Sequence, residues 1–183
     1  VTPSEYISEF ASSIGLSSES LDLMQCAWAD ERNAWAFPMY DQDCQIVGMR
    51  LRSENGRKFS VAGSRHGLFV PFVAMAREVY ICEGPTDCAA ALMLGLPAIA
   101  RPSCLGCEKT VSAFLRNNGV RRVTIIADAD DPGIRGAEKL QAALRLPSRI
   151  WIPPAKDLRD FVRSGGSRAE ADSEIKNLVW KTP

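Results

Sequence analysis

The sequence predicts an α/β protein. A four-stranded parallel sheet flanked by helices is expected over residues 78–183, preceded over residues 1–77 by a small mixed α/β lobe with an antiparallel β meander. Three observations lead there. From residue 78 onward, short apolar strands alternate with helical stretches, the pattern of a parallel sheet. Before residue 78, two turn signals, Asp41–Cys44 and Asn55-Gly56, separate β-rich runs, the pattern of a meander. The chain of 183 residues, 46% hydrophobic and 24% charged, has the balance of an ordinary folded globule.

Each element has a local cause. Thr2-Pro3 can open a first helix, which Ile14-Gly15 ends. Ser17 or Ser18 can cap a second, carrying Leu21, Leu23 and Met24. Residues 34–40 and 45–52 read as paired strands, and Lys58–Val61 as a third. Gly63 to Pro71 reads as loop. Beyond it come strand Glu78–Cys82, helix Thr86–Leu94, strand Ala98–Ala100 and helix Glu108–Asn118. Strand Val123–Ala127, the most β-branched of all, precedes a helix from Ile134 to Leu146, which Pro147 stops. Strand Arg149–Ile152 and two further helices, hinged at Gly165-Gly166, complete the pattern. Trp28, Trp35, Trp151 and Trp180 are expected to pack cores and lobe contacts.

Composition removes several function classes. No apolar run reaches the length of a membrane-spanning helix, so no membrane partner is expected. No basic segment followed by an apolar core opens the chain, so no secretory signal is visible. Six cysteines, at 26, 44, 82, 88, 104 and 107, need not form disulfides in a chain able to bury its own core. Cys82 and Cys88 read as buried thiols, and a reducing, cytoplasmic location is expected. Formal net charge is zero, so any attraction to nucleic acid must come from a local patch. Residues 50–66 supply one: Arg50, Arg52, Arg57, Lys58 and Arg65 against the single acid Glu54. Such a patch on a meander suits phosphate contacts. Phe59 and Phe69 nearby could stack on a base, although core packing is the expected role.

In open parallel sheets, ligands sit beyond the carboxyl ends of the strands. There the sequence places acids. Glu83-Gly-Pro-Thr-Asp87 follows the first strand, and Asp128-Ala-Asp130-Asp131-Pro-Gly133 follows the third. Asp128 and Asp130, two residues apart, point to one side in extended chain. Carboxylates converging on one sheet edge repel unless a cation neutralises them. Hard oxygen donors of this kind suit Mg²⁺ or Mn²⁺, and such ions usually share their shell with phosphates, which points to phosphoryl transfer. The blander role for Asp87 and Asp131 is helix N-capping.

The order Glu83-Gly…Asp87, then Asp128-x-Asp130, resembles the Toprim domain, shared by DnaG-type primases, topoisomerases, some nucleases and recombination proteins. Ser103-Cys-Leu-Gly106 and Asp130–Gly136 are similar to loops of primase Toprim domains, and Ile152–Phe161 resembles the late Lys-Asp segment of phage and plasmid primases. Upstream, Phe37-Pro-Met39, Ile46-Val-Gly48, Arg52, Gly56-Arg-Lys58-Phe59 and Gly67-Leu-Phe69 look like the lobe that precedes Toprim in DnaG-type and phage helicase–primases. The resemblance spans residues 34–162. It implies a DNA primase catalytic core making short RNA primers on a single-stranded DNA template from nucleoside triphosphates. It implies Mg²⁺ or Mn²⁺ on Glu83, Asp128 and Asp130, the catalytic carboxylates, with Asp87, Asp157 and Asp160 as further acids. Arg52 and Lys58 fall on positions that hold triphosphate or template, and Arg50, Arg57 and Arg65 extend that surface. A fused or separate replicative helicase is an expected partner. With no zinc-binding module visible and Val1 at its start, the chain is expected to be part of a longer replication protein.

Other classes compete. A Toprim nuclease would share the acids without needing the Arg/Lys hairpin. A strand-passage enzyme would need Tyr6, Tyr40 or Tyr80 as nucleophile, and a binding module would keep the fold without the chemistry. Asp128-x-Asp130 could also belong to a haloacid-dehalogenase-type phosphatase, which would leave Glu83 without a role. Cys104-x-x-Cys107 could be a redox pair or half a zinc site.

Overall fold

The computed structural model describes residues 3–183. Helices α1 (Pro3–Ser13) and α2 (Ser18–Leu23) open the chain. The expected role of Thr2 in starting α1 lies outside the described residues. Ser17 is the cap of α2, its side chain accepting from the Ser20 amide. Strands β1 (Ala27–Ala29), β2 (Ala34–Tyr40), β3 (Ile46–Ser53) and β4 (Lys58–Ser60) follow, with a 3₁₀ turn, Asp30–Arg32, between β1 and β2. They form one antiparallel sheet in the order β1-β2-β3-β4. Strand β1 escaped the sequence reading because three residues carry no periodicity. Pairing supplies what pattern does not: Trp28 sits opposite Trp35 across the β1–β2 ladder.

The second sheet is parallel, in the order β6-β5-β7-β8. Its strands are β5 (Glu78–Glu83), β6 (Ala98–Arg101), β7 (Arg122–Ile126) and β8 (Ser148–Trp151). Helices α3 (Pro85–Met93), α4 (Glu108–Asn117) and α5 (Asp131–Ala143) connect them, and α6 (Leu158–Arg163) and α7 (Arg168–Ile175) follow β8. Both faces are buried. Val79 and Ile81 point into a core under α4 and α5, with Phe114, Val123 and Leu140. Tyr80 and Cys82 point to the other face, under α3, α6 and α7. Two-residue alternation along β5 thus feeds two cores.

Helix α5 lies three residues earlier than the expected 134–146 at each end. The Asp130 side chain accepts from the Gly133 amide, so it and not Asp131 is the cap, and Pro132 is accommodated in the first turn. The C-cap Leu144 is already extended, freeing the chain for β8. Nor does Asp87 cap α3. Gly84 stands there with φ +87°, a conformation that L residues adopt only with strain. Its N–H donates to the Arg101 carbonyl at 2.8 Å. This is the physical reason a glycine follows Glu83: the chain must turn sharply from β5 into α3 while staying tied to β6.

The two sheets share a core. Trp35, Phe37 and Met39, alternate residues of β2, are buried in the same apolar cluster as Cys88, Ala89, Leu158 and Phe161. Stacking of Phe10 on Trp35, at 4.4 Å between centroids, fastens α1 to the meander. The stretch expected as plain loop also joins the sheets. Leu68 pairs with Tyr40, and Phe69 pairs with Ala100 of β6. Both side chains are fully buried, which is the core packing expected of Phe69.

Candidate active site

At the carboxyl ends of β5 and β7 lies a cavity of about 260 Å³. One wall carries Glu83, Gly84, Pro85, Thr86 and Asp128, and the loop Pro102-Ser103-Cys104 adds a side. The facing wall comes from the meander: Phe37, Arg50, Leu51, Arg52 and Lys58. Register explains that wall. Lys58 pairs with Arg52 and Ser60 with Arg50 across β3–β4, while Trp35 and Phe37 pair with Arg52 and Arg50 across β2–β3. Paired residues share a face, so the cations stand on the side that packs against the parallel sheet.

Burial and mutual repulsion dominate the carboxylates. Glu83 is raised to about 7, chiefly by burial and then by Asp128 and Asp130, against the opposing pull of Arg101. Asp128 rises to about 6 through burial and the charges of Asp157 and Asp130, and Lys58 and Lys156 offset this. Asp87 is almost wholly buried and rises to about 7, by burial first and then by Asp157 and Asp128. Its Oδ1 accepts from the Arg159 amide at 3.1 Å. Five acids from three strand-to-helix junctions therefore sense one another. Asp130 and Asp157 are partly committed, each capping a helix through a 2.7 Å bond from the amide three residues on. Asp130 is exposed, and Asp160 pairs with Arg163 at 3.0 Å.

The cations divide. Arg52 is half-buried, and burial together with the nearby Arg159 lowers its pKa. Arg50 donates to the Pro102 carbonyl at 3.0 Å, linking the meander to the cavity's loop. Arg57 and Arg65 do not line the cavity. The Arg57 guanidinium instead covers the Phe59 ring at 5.7 Å. Cys104 and Cys107 are free thiols, and none of the three tyrosines lines the cavity.

Two site residues were not singled out from sequence. Arg101 ends β6, is 1% exposed, and sits beside Glu83 in the β5–β6 register. It donates to the Cys104 carbonyl at 2.9 Å, and its Nε has no partner. The signal was present: an arginine closing the otherwise apolar Ala98-Ile-Ala run. Arg159 lies beside Asp87 and Asp157, its Nε likewise buried and unpartnered.

The donor set fits a hard divalent cation. Its carboxylates are partly buried, mutually repelling, and include a Glu83 oxygen that is buried without a hydrogen-bond partner. Among the described residues, no three Cys, His, Asp or Glu side chains are already gathered around one point.

A parallel sheet with acids at its carboxyl edge, faced by a cationic meander, is the arrangement these residues build. Residues 80–162 match the Toprim-like family model, and this segment is a Toprim domain. The whole chain has the fold of primase catalytic cores. It matches the DnaG primase catalytic domain bound to single-stranded DNA with a TM-score of 0.72 at 15% identity, over 94% of this chain and 71% of that one. It matches the primase fragment of the bacteriophage T7 primase–helicase protein with a TM-score of 0.72 at 20% identity, over 92% and 72%. In sequence it is 26% identical over 122 residues to the Gene 57 protein of Mycobacterium phage D29, covering 66% of this chain and 79% of that protein. No helix among the described residues is long and apolar enough to cross a membrane.

Proposed function

We propose that this chain is the catalytic core of a DNA primase, joining nucleoside triphosphates into short RNA primers on single-stranded DNA. One observation carries the reading: acids of the parallel sheet and cations of the meander line a single cavity. A nuclease needs the acids alone. We place the division between the two units at residues 77 and 78, where one sheet gives way to the other.

Arg52 and Lys58 hold the triphosphate by charge. Glu83 and Asp128 would hold Mg²⁺ or Mn²⁺, with Asp130, Asp87 and Asp157 close enough to tune them electrostatically. The bound cation supplies neutralisation of phosphate charge and a lowered pKa for the attacking hydroxyl. The primer 3′ oxygen bonds to the α-phosphorus, the α–β phosphoanhydride bond breaks, and pyrophosphate leaves. Arg101, tied to the Cys104 carbonyl, keeps the cavity's loop in place and offsets the Glu83 charge. Arg50 ties the meander to that same loop, so its contribution is to hold the two walls together. Arg57 and Arg65 lie outside the cavity and suit the template backbone. A helicase, fused or separate, would deliver that template.

The test is primer synthesis on single-stranded DNA with labelled nucleotides and Mg²⁺ or Mn²⁺. Short RNA products that disappear in Asp128→Ala support the proposal. Cutting of the DNA in place of synthesis would move the protein to the Toprim nucleases. Neither reaction, with metal-dependent nucleotide binding also absent, would leave a binding module.

A further inference from the structure

The opposite end of the parallel sheet carries a second charged surface. Strands of four to six residues separate the two ends by about 20 Å at most. Arg77 immediately precedes β5, Arg121 and Arg122 open β7, and Arg145 precedes β8. Lys181 pairs with Ser148 at the start of β8. All five side chains are exposed. The Arg121 and Arg122 amides both donate to the Arg77 carbonyl, at 2.7 and 3.1 Å, which brings three arginines to one point of the edge. None of the five forms an ion pair among the described residues. Glu78, which follows Arg77 directly, is already engaged by Arg149 at 3.0 Å. In a chain of zero net charge, these cations stand apart from the acids at the other edge.

We infer that this amino-terminal sheet edge is a second nucleic-acid surface, one that holds the phosphate backbone of a DNA duplex. The occupant follows from what the surface lacks. Single-strand sites pair cations with free aromatic rings on which bases stack. Here Trp180 is already covered by the Arg149 guanidinium at 4.1 Å and the Arg122 guanidinium at 5.6 Å. The exposed ring of Phe72 lies on a neighbouring apolar groove, which none of these cations lines. Charge without a stacking platform reads backbone alone, and a duplex presents twice the phosphate charge per unit length of a single strand. The surface lies outside the cavity, so it engages duplex elsewhere than at the reacting nucleotide.

The experiment measures binding of a fluorescein-labelled duplex of about 20 base pairs to the whole chain by anisotropy, between 50 and 200 mM salt. EDTA is present and nucleotide is left out, so the carboxylate cavity plays no part in the result. The triple variant Arg77→Ser/Arg121→Ser/Arg145→Ser is expected to flatten the log–log salt slope by about two to three, and to weaken binding at least about tenfold at low salt. The corresponding Arg→Lys triple variant retains the slope, which separates lost charge from lost structure. Metal-dependent nucleotide binding is unchanged in both, so failure here is distinct from failure of the primase reading. An unchanged slope in the serine variant overturns the inference. So does loss of binding to polyglutamate alone, which would make the edge a dock for an acidic protein segment.

Discussion

The two walls of the cavity are built differently, and they contribute oppositely to stability. The acidic wall stands at the ends of buried strands, where the backbone leaves little freedom. Glu83, Asp87 and Asp128 are pushed up to between about 6 and about 7 by burial and by one another. The cationic wall stands on an antiparallel meander, with Lys58 exposed and Arg50 bonded to Pro102. Removing an acid relieves repulsion, whereas removing a cation from the other wall relieves little. A fold that keeps mutually repelling acids at a sheet edge gives up stability for a charged ligand. Four predictions sharpen this contrast, from the largest effect to the smallest.

Asp128→Ala is expected to lower metal-dependent nucleotide incorporation on the order of 10²–10³-fold, the usual cost of losing one electrostatic group at a reacting centre. Its thermal midpoint should not fall below that of the wild type. A parallel loss of activity and stability would mean that Asp128 is structural.

Gly136→Ala tests the packing behind the acidic wall. A Cβ at Gly136 would collide with the Cys104 carbonyl oxygen, backbone that cannot give way cheaply. A loss of about 1–3 kcal/mol is expected, a drop of several degrees in Tm for a chain of this size.

Asp87→Asn probes the repulsion itself. The amide oxygen of Asn can still accept from the Arg159 amide. The folded pKa of Asp87 is raised above its unfolded value near 4. Between about pH 4 and about pH 7 the native state therefore holds more protons than the unfolded chain, and stability falls as pH rises through that window. In EDTA, the wild type should melt lower at pH 8 than at pH 5. Asp87→Asn should recover on the order of 1–2 kcal/mol at pH 8 and almost nothing near pH 4. Denaturant titrations at the two pH values read this directly. A variant less stable at pH 8 would place the Asp87 charge among the stabilising groups.

The smallest effects belong to Arg57 and Arg65, which lie outside the cavity. Their alanine variants should leave nucleotide Kd within about twofold, roughly 0.4 kcal/mol, while weakening single-stranded DNA.

Much of this was readable from the residues because parallel sheets put ligands at strand ends. Glu83-Gly84 and Asp128 could be placed once the alternation from residue 78 was seen. Residues that depend on pairing or packing could not be placed that way. Arg101 becomes part of the site only through the β5–β6 register, which sets it beside Glu83. Arg159 gains meaning from the approach of α6 to α3, which brings its amide to Asp87. Leu68 and Phe69 looked like loop because their partners, Tyr40 and Ala100, are distant in sequence. The capping roles fell on Asp130 and Asp157 and not on Asp87 and Asp131, a matter of one turn of backbone geometry. Arg50, Arg52, Arg57, Lys58 and Arg65 formed one patch in sequence; Arg50 and Arg52 of β3 and Lys58 of β4 line the cavity, whereas Arg57 and Arg65, in the loops beside those strands, do not.

The central claim is that both walls grip one ligand. Isothermal calorimetry of a nucleoside triphosphate with Mn²⁺ tests it most directly, on the wild type, Lys58→Ala, Asp128→Asn and the double variant. Each single variant should weaken binding about tenfold, and the double should lose clearly less than the product, a coupling of at least about 0.5 kcal/mol. Strictly additive losses, or a Kd indifferent to Lys58, would contradict the account and leave the acids to act without the meander.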